Sequence, residues 1–196
     1  MRDRWYGDDR DVVKWSTLVH LAQREAISRV LYIAMYRVDD PPASLKTSRG
    51  VVELPKSVLT HFRDLDDVQR LAGDTGLAIE VFKKPFVDRG AYFAAVHKRV
   101  LAQGAPAIVF LDPDVGLVAD QAGLEHVASA EVAAVFEVLR PGDYLACYQH
   151  ARRQKDWRGR ARRAFANAPG VPSFDVEVFE SELARDVLLL TVKKSA

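Results

Sequence analysis

The nine residues Val109-Phe110-Leu111-Asp112-Pro113-Asp114-Val115-Gly116-Leu117 mark the end of a predicted buried strand. The apolar run stops at a carboxylate, a proline and a second carboxylate, and proline cannot continue a hydrogen-bonded ladder inside a sheet. Two acids therefore lie where the chain leaves its sheet. Open α/β folds bind their ligands at the carboxyl ends of parallel strands. Asp112 and Asp114 are thus the first candidates for a functional role.

Helical and strand patterns alternate on both sides of this stretch. Helices are predicted over about residues 9–26, 90–103, 129–139 and 151–167, with two short helical patterns between about 55 and 72. Strands are predicted over about residues 30–36, 77–82, 107–111, 144–148, 174–179 and 187–192. The alternation implies a mainly parallel sheet with helices on both faces, and the last two strands, joined without a helix, imply an antiparallel edge. We predict a Rossmann-like, three-layer α/β sandwich with a C-terminal antiparallel hairpin.

Length and composition limit the possible classes of protein. A chain of 196 residues without repeats or a linker suits one domain, residues 1–196, that buries about 70% of the surface of its unfolded form. The single cysteine, Cys147, excludes an internal disulfide and a cysteine-based zinc site, and its apolar neighbours predict a buried thiol. The charged start and the lack of a long apolar run predict a soluble, cytoplasmic protein without a membrane partner.

A basic segment, residues 151–163, follows the strand predicted over residues 144–148. It holds seven basic residues and one acid, Asp156, so its net charge is +6 although the whole chain carries only +1. Arginine suits bidentate contact with phosphate, and a tryptophan can stack on a base. We expect a nucleic-acid partner, RNA or DNA, bound by Arg152, Arg153, Lys155, Trp157, Arg158, Arg160, Arg162 and Arg163.

His150 follows the strand predicted beside the one that ends at Leu111. In a parallel pair, the carboxyl ends of both strands meet at one edge, so Asp112, Asp114 and His150 are expected to converge there. Two carboxylates and an imidazole suit Mg²⁺ or Mn²⁺, or an acid/base pair for phosphodiester cleavage. A divalent-metal-dependent nuclease is therefore one hypothesis for this chain.

Two short motifs resemble a family of enzymes. The opening Tyr6-Gly7-Asp8-Asp9-Arg10-Asp11-Val12-Val13-Lys14-Trp15 is similar to the pattern Ala-Gly-Asn-x-Ala-Asp-Val-Leu-Lys-His, and Asp112-Pro113-Asp114-Val115 takes the place of an Asp-Pro-Pro-Tyr tetrapeptide. Together with the layout, they resemble class I S-adenosylmethionine-dependent methyltransferases. Within that class, they resemble the bacterial enzymes that methylate adenine N6 in large-subunit ribosomal RNA.

The resemblance implies a methyl donor and a set of site residues. Asp112 would accept an amino hydrogen of a flipped-out adenine, with Asp114, Lys14 and His150 in the same pocket. Gly7, Asp11 and Asp39 would belong to the S-adenosylmethionine site.

This chain also departs from the family pattern. Val115 stands in place of the aromatic residue, and residues 34–42, after the first strand, contain no glycine where the cofactor loop is normally glycine-rich. The metal-dependent nuclease and a non-catalytic nucleic-acid-binding module therefore remain as alternatives.

Overall fold

The computed structural model describes residues 7–37, 44–53, 55, 64–104 and 106–196. The α-helices in these ranges are α1 (Asp9–Arg24), α2 (Leu71–Thr75), α3 (Arg89–Leu101), α4 (Ser129–Glu137) and α5 (Trp157–Asn167). The strands are β1 (Arg29–Ile33), β2 (Ser44–Thr47), β3 (Gly50–Glu53), β4 (Ala78–Phe82), β5 (Ile108–Leu111), β6 (Gly116–Val118), β7 (His126–Ala128), β8 (Tyr144–His150), β9 (Glu177–Phe179) and β10 (Val187–Lys193).

The central sheet has six strands in the order β4-β1-β5-β8-β10-β9. The first four are parallel, and β10 is antiparallel to both β8 and β9. The predicted parallel sheet and its C-terminal antiparallel pair are therefore confirmed. The fold is a Rossmann-like α/β sandwich, consistent with the methyltransferase type.

The strand order creates a crevice at the carboxyl ends of β1 and β5. From β1 the chain moves to β4 on one side, and from β4 it crosses through α3 to β5 on the other side of β1. The loops that leave β1 and β5 therefore diverge, which makes this point the topological switch of the sheet. Asp112 and Asp114 follow β5, so the fold places them beside this crevice.

Helices cover both faces of the sheet. On one face, Leu18 and Leu21 of α1 are fully buried against the sheet beside Phe110. On the opposite face, α3, α4 and α5 bury aromatic and aliphatic side chains such as Phe93 and Phe165. Each fully buried leucine contributes about 1.5–3 kcal/mol relative to an exposed one, so these two clusters hold the layers together. Among the described residues, every helix is too short or too polar to span a bilayer.

Some predicted boundaries were wrong. The first strand ends at Ile33 rather than at residue 36, because Met35 turns the chain with a left-handed φ of 43°. The basic helix starts at Trp157 rather than at residue 151, after Asp156 with φ 56°. The final hairpin has a shorter first strand than predicted, because residues Ser173–Asp175 form a 3-10 turn.

Other elements were missed or lie partly outside the described residues. The hairpin β2–β3 and the short parallel pair β6–β7 were not predicted. Of the two short helical patterns predicted between residues 55 and 72, the described part is a 3-10 helix, Leu65–Arg70, that runs into α2, and residues 56–63 lie outside the description.

Candidate functional site

A cavity of about 160 Å³ opens at the switch-point edge of the sheet. Its walls come from the start of α1, the loop after β5 and the end of β8. The residues around it are Asp8, Arg10, Lys14, Asp112, Pro113, Asp114, Tyr148 and His150. All four residues predicted to be catalytic, Asp112, Asp114, His150 and Lys14, therefore line one cavity.

Asp112 is the most firmly held of these side chains. Its backbone N–H donates to the carbonyl of Ile33 over 3.0 Å, so the residue still belongs to the sheet, whereas Pro113 lacks the N–H needed to continue the ladder. The hydroxyl of Tyr32 donates to Oδ2 of Asp112 over 2.7 Å, and Nζ of Lys14 lies 3.1 Å from Oδ1. Asp112 is only 1% exposed, yet it forms part of the cavity wall.

Lys14 joins two buried carboxylates. Its Nζ lies 2.8 Å from Oδ1 of Asp11 as well as 3.1 Å from Asp112, and the side chains of all three are 6% exposed or less. Two carboxylates thus share one buried ammonium group. Burial alone would lower the pKa of Lys14, but Asp112 and Asp11 outweigh it and raise that pKa. Burial raises the pKa of Asp11, although Lys14 opposes this effect.

Gly7 and Asp11, two of the predicted cofactor residues, are hydrogen-bonded to each other at the start of the chain's first helix. The backbone N–H of Gly7, whose φ is 90°, donates to Oδ2 of Asp11 over 2.7 Å, while Oδ1 accepts from Lys14. Asp11 is 5% exposed, so both of its oxygens are taken up inside the protein. Asp11 therefore holds Lys14 in place, and contact of this pair with a cofactor stays a prediction. The third predicted cofactor residue, Asp39, lies outside the described residues.

Tyr148 is a site residue that the sequence did not single out. Its ring lies 4.4 Å from Nζ of Lys14, and its side chain borders the cavity. Burial raises the pKa of its phenol, so the hydroxyl stays neutral and can donate a hydrogen bond. The two-residue period of a strand could have identified Tyr148, because residues two apart, here Tyr148 and His150, lie on the same face of the sheet.

His150 lies at the rim of the cavity with both ring nitrogens engaged. Nε2 is 3.2 Å from Oδ2 of Asp186, and Nδ1 is 3.2 Å from the carbonyl oxygen of Ala151. The guanidinium of Arg10 also donates to Asp186, over 2.6 Å, and this hydrogen bond lowers the pKa of Asp186. Because hydrogen bonds lie in the ring plane, His150 offers a ligand mainly its ring face. Asp186, like Tyr148, was not predicted.

An ion pair spans the crevice between β1 and β5. Arg37, in the segment after β1, contacts the carboxylate of Asp114, whose side chain is 2% exposed. Nη1 of Arg37 lies 4.0 Å from Oε2 of Glu125. Asp114 is therefore a buried anion paired with a cation at the switch point.

The alternative prediction of a metal site formed by Asp112, Asp114 and His150 is not supported. Within the described ranges, no three histidine, cysteine, aspartate or glutamate side chains are grouped so that they could hold a metal ion. Each of the three residues has another partner: Asp112 binds Lys14 and Tyr32, Asp114 binds Arg37, and His150 binds Asp186. A divalent ion would have to displace Lys14 to reach Asp112 and Arg37 to reach Asp114.

In the basic segment, some arginines form ion pairs or hydrogen bonds within the protein, whereas other cations have no carboxylate partner among the described residues. Arg158 pairs with Glu180, Arg163 pairs with Asp156, and Arg162 donates to the carbonyl of Ser173. The guanidinium of Arg152 donates to the carbonyl of Leu117 over 2.6 Å. In the part of the chain that the structure describes, no carboxylate lies within ion-pair distance of Arg153, Lys155 or Arg160, and all three are exposed.

In the segment after β1, the orientation of the Met35 side chain is compatible with a bound methyl donor. Met35 has the left-handed backbone conformation that usually requires glycine, and its side chain is fully buried in the core on the α3 face. The side chain therefore does not fill the crevice. The N–H of Met35, however, donates to the hydroxyl of Tyr92 over 3.0 Å. This donor is therefore already used within the protein and is not offered to a ligand.

Comparisons with known proteins give only distant similarities. No protein-family model and no curated protein matches the chain. A presumed methyltransferase from Thermobifida fusca YX superimposes with a TM-score of 0.44 at 16% identity, over 96% of this chain and 80% of that one. A DUF574 family protein from Streptomyces avermitilis MA-4680 gives a TM-score of 0.44 at 17% identity, over 95% and 82% of the two chains. At this level the similarities carry no argument about function, and the fold assignment rests on the strand order.

Proposed function

We propose that this protein transfers a methyl group from S-adenosylmethionine to the exocyclic amino group of a nucleic-acid base. The reaction it resembles most is methylation of adenine at N6. The observation that supports this proposal best is the carboxylate of Asp112 in the wall of an open cavity at the switch point. S-adenosylmethionine, when bound, supplies an electrophilic methyl group, and the residues of this chain orient the acceptor.

Asp112 is suited to accept a hydrogen bond from an amino group. A carboxylate offers about four acceptor positions, and the protein uses those nearest Tyr32 and Lys14. An N–H of the base donating to a remaining position would fix the orientation of the amino nitrogen. Tyr32 and Lys14 act as positioning residues, because their donors prevent the carboxylate from rotating.

The size of the cavity favours a single ring system as its occupant. Pockets for drug-sized ligands have volumes of roughly 300 to 1,000 Å³, whereas this cavity has a volume of about 160 Å³. A whole cofactor would have to lie elsewhere, toward the carboxyl ends of β1 and β4. Because the base must reach a carboxylate that is 1% exposed, it would have to be unpaired or flipped out of a helix.

The test is transfer of a labelled methyl group to RNA and DNA, followed by hydrolysis and chromatography of the nucleosides. We expect N6-methyladenosine or its deoxy form from the wild-type protein. Asp112→Asn should lower the rate about 100-fold, because an amide replaces one acceptor oxygen with a donor and weakens the hold on the amino group. Asp120→Asn, an exposed change of the same kind, should retain the wild-type rate.

Two outcomes would contradict the proposal. The first is saturable binding of S-adenosylmethionine without transfer to any nucleic acid. The second is transfer that proceeds equally well in Asp112→Asn. Binding of nucleic acid without binding of the cofactor would instead favour a non-catalytic binding module, for which the exposed Arg153, Lys155 and Arg160 are the supporting observation.

A further inference from the structure

The end of β8 separates two cavities. Gln149 and His150 are consecutive residues of this strand, so their side chains lie on opposite faces of the sheet. His150 borders the cavity described above, on the α1 side. Gln149 borders a second cavity of about 90 Å³ on the α5 side, together with Leu117, Arg152, Trp157, Arg160 and Ala161. One strand thus forms a wall of both cavities.

The walls of the second cavity combine cationic and aromatic groups. Arg152 is fixed there by its bond to the carbonyl of Leu117, and Trp157 is half-buried against the core. The guanidinium of Arg158 lies 4.7 Å from the centre of the Trp157 ring. Arg160 is exposed and, within the described residues, has no carboxylate in ion-pair distance. An indole beside guanidinium groups, of which that of Arg160 has no carboxylate partner among the described residues, is a combination that binds a base and its phosphate.

Gln149 gives the second cavity a rigid wall. Its side-chain oxygen accepts from the N–H of Leu117 over 3.0 Å, and its nitrogen donates to the carbonyls of Val115 and His150 over 3.2 and 2.9 Å. A Cβ on Gly116 would lie 2.5 Å from the same amide, so glycine is needed for this close approach. The wall between the two cavities is therefore preorganised, which lowers the entropic cost of binding a ligand on either side.

We infer that the residues around the second cavity, which is too small to enclose a nucleotide, contact the nucleotide adjacent to the target base in a single-stranded nucleic acid. The inference rests on the proposed function, and it narrows the substrate class from nucleic acid to an unpaired strand. A strand that crosses the end of β8 can place one base on each side of the sheet, whereas stacked and paired bases of a duplex cannot separate in this way. Arg160 would then contact the phosphate, and Trp157 would contact the neighbouring base.

The test measures binding of fluorescently labelled single-stranded RNA and DNA hexamers, without cofactor, over a range of salt concentrations. We expect Arg160→Gln to weaken binding about fivefold and to reduce the slope of log affinity against log salt by about 1. Arg140→Gln is the matched control, because it removes the same charge from an exposed residue just before β8, at the opposite end of that strand from both cavities. We expect this control to change affinity less than about twofold.

Trp157 provides a second and independent signal. Its fluorescence should be quenched when the hexamer binds, and the quenching should be absent from Trp157→Phe. Trp157→Phe keeps an aromatic ring and therefore the packing against the core, while Trp157→Leu should weaken binding about tenfold through loss of base stacking. A duplex of the same sequence and a mononucleotide should both bind at least about tenfold more weakly than the single strand.

Three results would overturn the inference: equal effects of Arg160→Gln and Arg140→Gln, duplex binding as tight as single-strand binding, or unchanged Trp157 fluorescence. The proposed function is judged separately, by methyl transfer in the wild type and in Asp112→Asn. Transfer with no dependence on Arg160 or Trp157 removes only the inference. The expected binding pattern without transfer removes only the methyltransferase proposal.

Discussion

Nζ of Lys14 and Oδ1 of Asp112 lie 3.1 Å apart, with both side chains buried, although 98 residues separate them in the chain. This contact joins the first helix to the loop at the switch point. It holds the candidate acceptor in one position, and it also compensates the charge of a carboxylate that is 1% exposed. Stability and the arrangement of the site therefore depend on the same ion pair.

Loss of Lys14 should destabilise the fold. Lys14→Met leaves Asp112 and Asp11 without their shared cation in a buried site, and we expect the free energy of unfolding to fall by about 3–5 kcal/mol. Urea denaturation monitored by circular dichroism measures this change. Lys193→Met is the control, because Lys193 pairs with Glu25 at the surface, with 53% of its side chain exposed, and should cost less than about 1 kcal/mol. Equal losses in the two variants would show that the buried cluster adds nothing to stability.

Stability should also decrease at alkaline pH. Burial and then its bond to Glu25 raise the pKa of Tyr144 from 10.0 to about 12, and the carboxylates around Lys14 outweigh burial and raise its pKa above 10.5. Between the unfolded and folded pKa values the folded state binds more protons, so these contributions are present below pH 10 and are lost as the pH rises. The free energy of unfolding should therefore fall between about pH 10 and 12.

Urea titrations at pH 8, 10 and 11 measure this dependence. The decrease should be shallower in Tyr144→Phe, which has no phenol to ionise. A free energy of unfolding that stays level or increases over this range would contradict the assignment of the two raised pKa values.

Gly116→Ala should disturb the wall between the two cavities. The new Cβ would meet the side-chain amide of Gln149 at 2.5 Å, and the φ of 124° is unfavourable for any residue with a side chain. We expect a loss of about 1–3 kcal/mol in thermal or urea unfolding. Gly142→Ala is the control, because Gly142 has a φ of 93° but open space around it. It measures backbone strain without a clash, so it should lower the free energy of unfolding by less. A variant as stable as the wild type would show that Gln149 can move away from its partners.

Cys147 should not react in the folded protein. It is fully buried in β8, and burial raises the pKa of its thiol, so neither access nor thiolate is available at neutral pH. We expect no reaction with a colorimetric disulfide reagent in buffer and one thiol per chain in denaturant. Prompt reaction in buffer would mean that the sheet opens near Cys147.

Much of the architecture was predictable from local pattern. Strand patterns in the sequence identified all six strands of the central sheet, and the pairing of β5 with β8 followed from their order. The same reasoning brought Asp112, Asp114 and His150 to one cavity, because the carboxyl ends of parallel strands share an edge. The hairpin β2–β3 was not predicted because it is short and exposed, and its apolar residues do not form one buried face.

The roles of individual site residues were harder to predict. Asp11 matches a family motif, and only the tertiary structure shows that it accepts a hydrogen bond from Lys14 and holds it beside Asp112. Asp186 was missed because nothing in its turn shows what will face it across the fold, whereas the strand period does place Tyr148 on the same face as His150. Asp186 reaches His150 and Arg10 only because β10 returns beside β8.

The amino-acid sequence by itself determined the layers, the parallel sheet and the position of the two aspartates at a strand end. These features follow from periodicity and from backbone rules that act over a few residues. Only the tertiary structure decided which charges compensate each other, which basic residues remain available, and that Gln149 and His150 face separate cavities. Those outcomes depend on distances between residues remote in the chain, and electrostatic and packing energies are set by these distances once water is excluded.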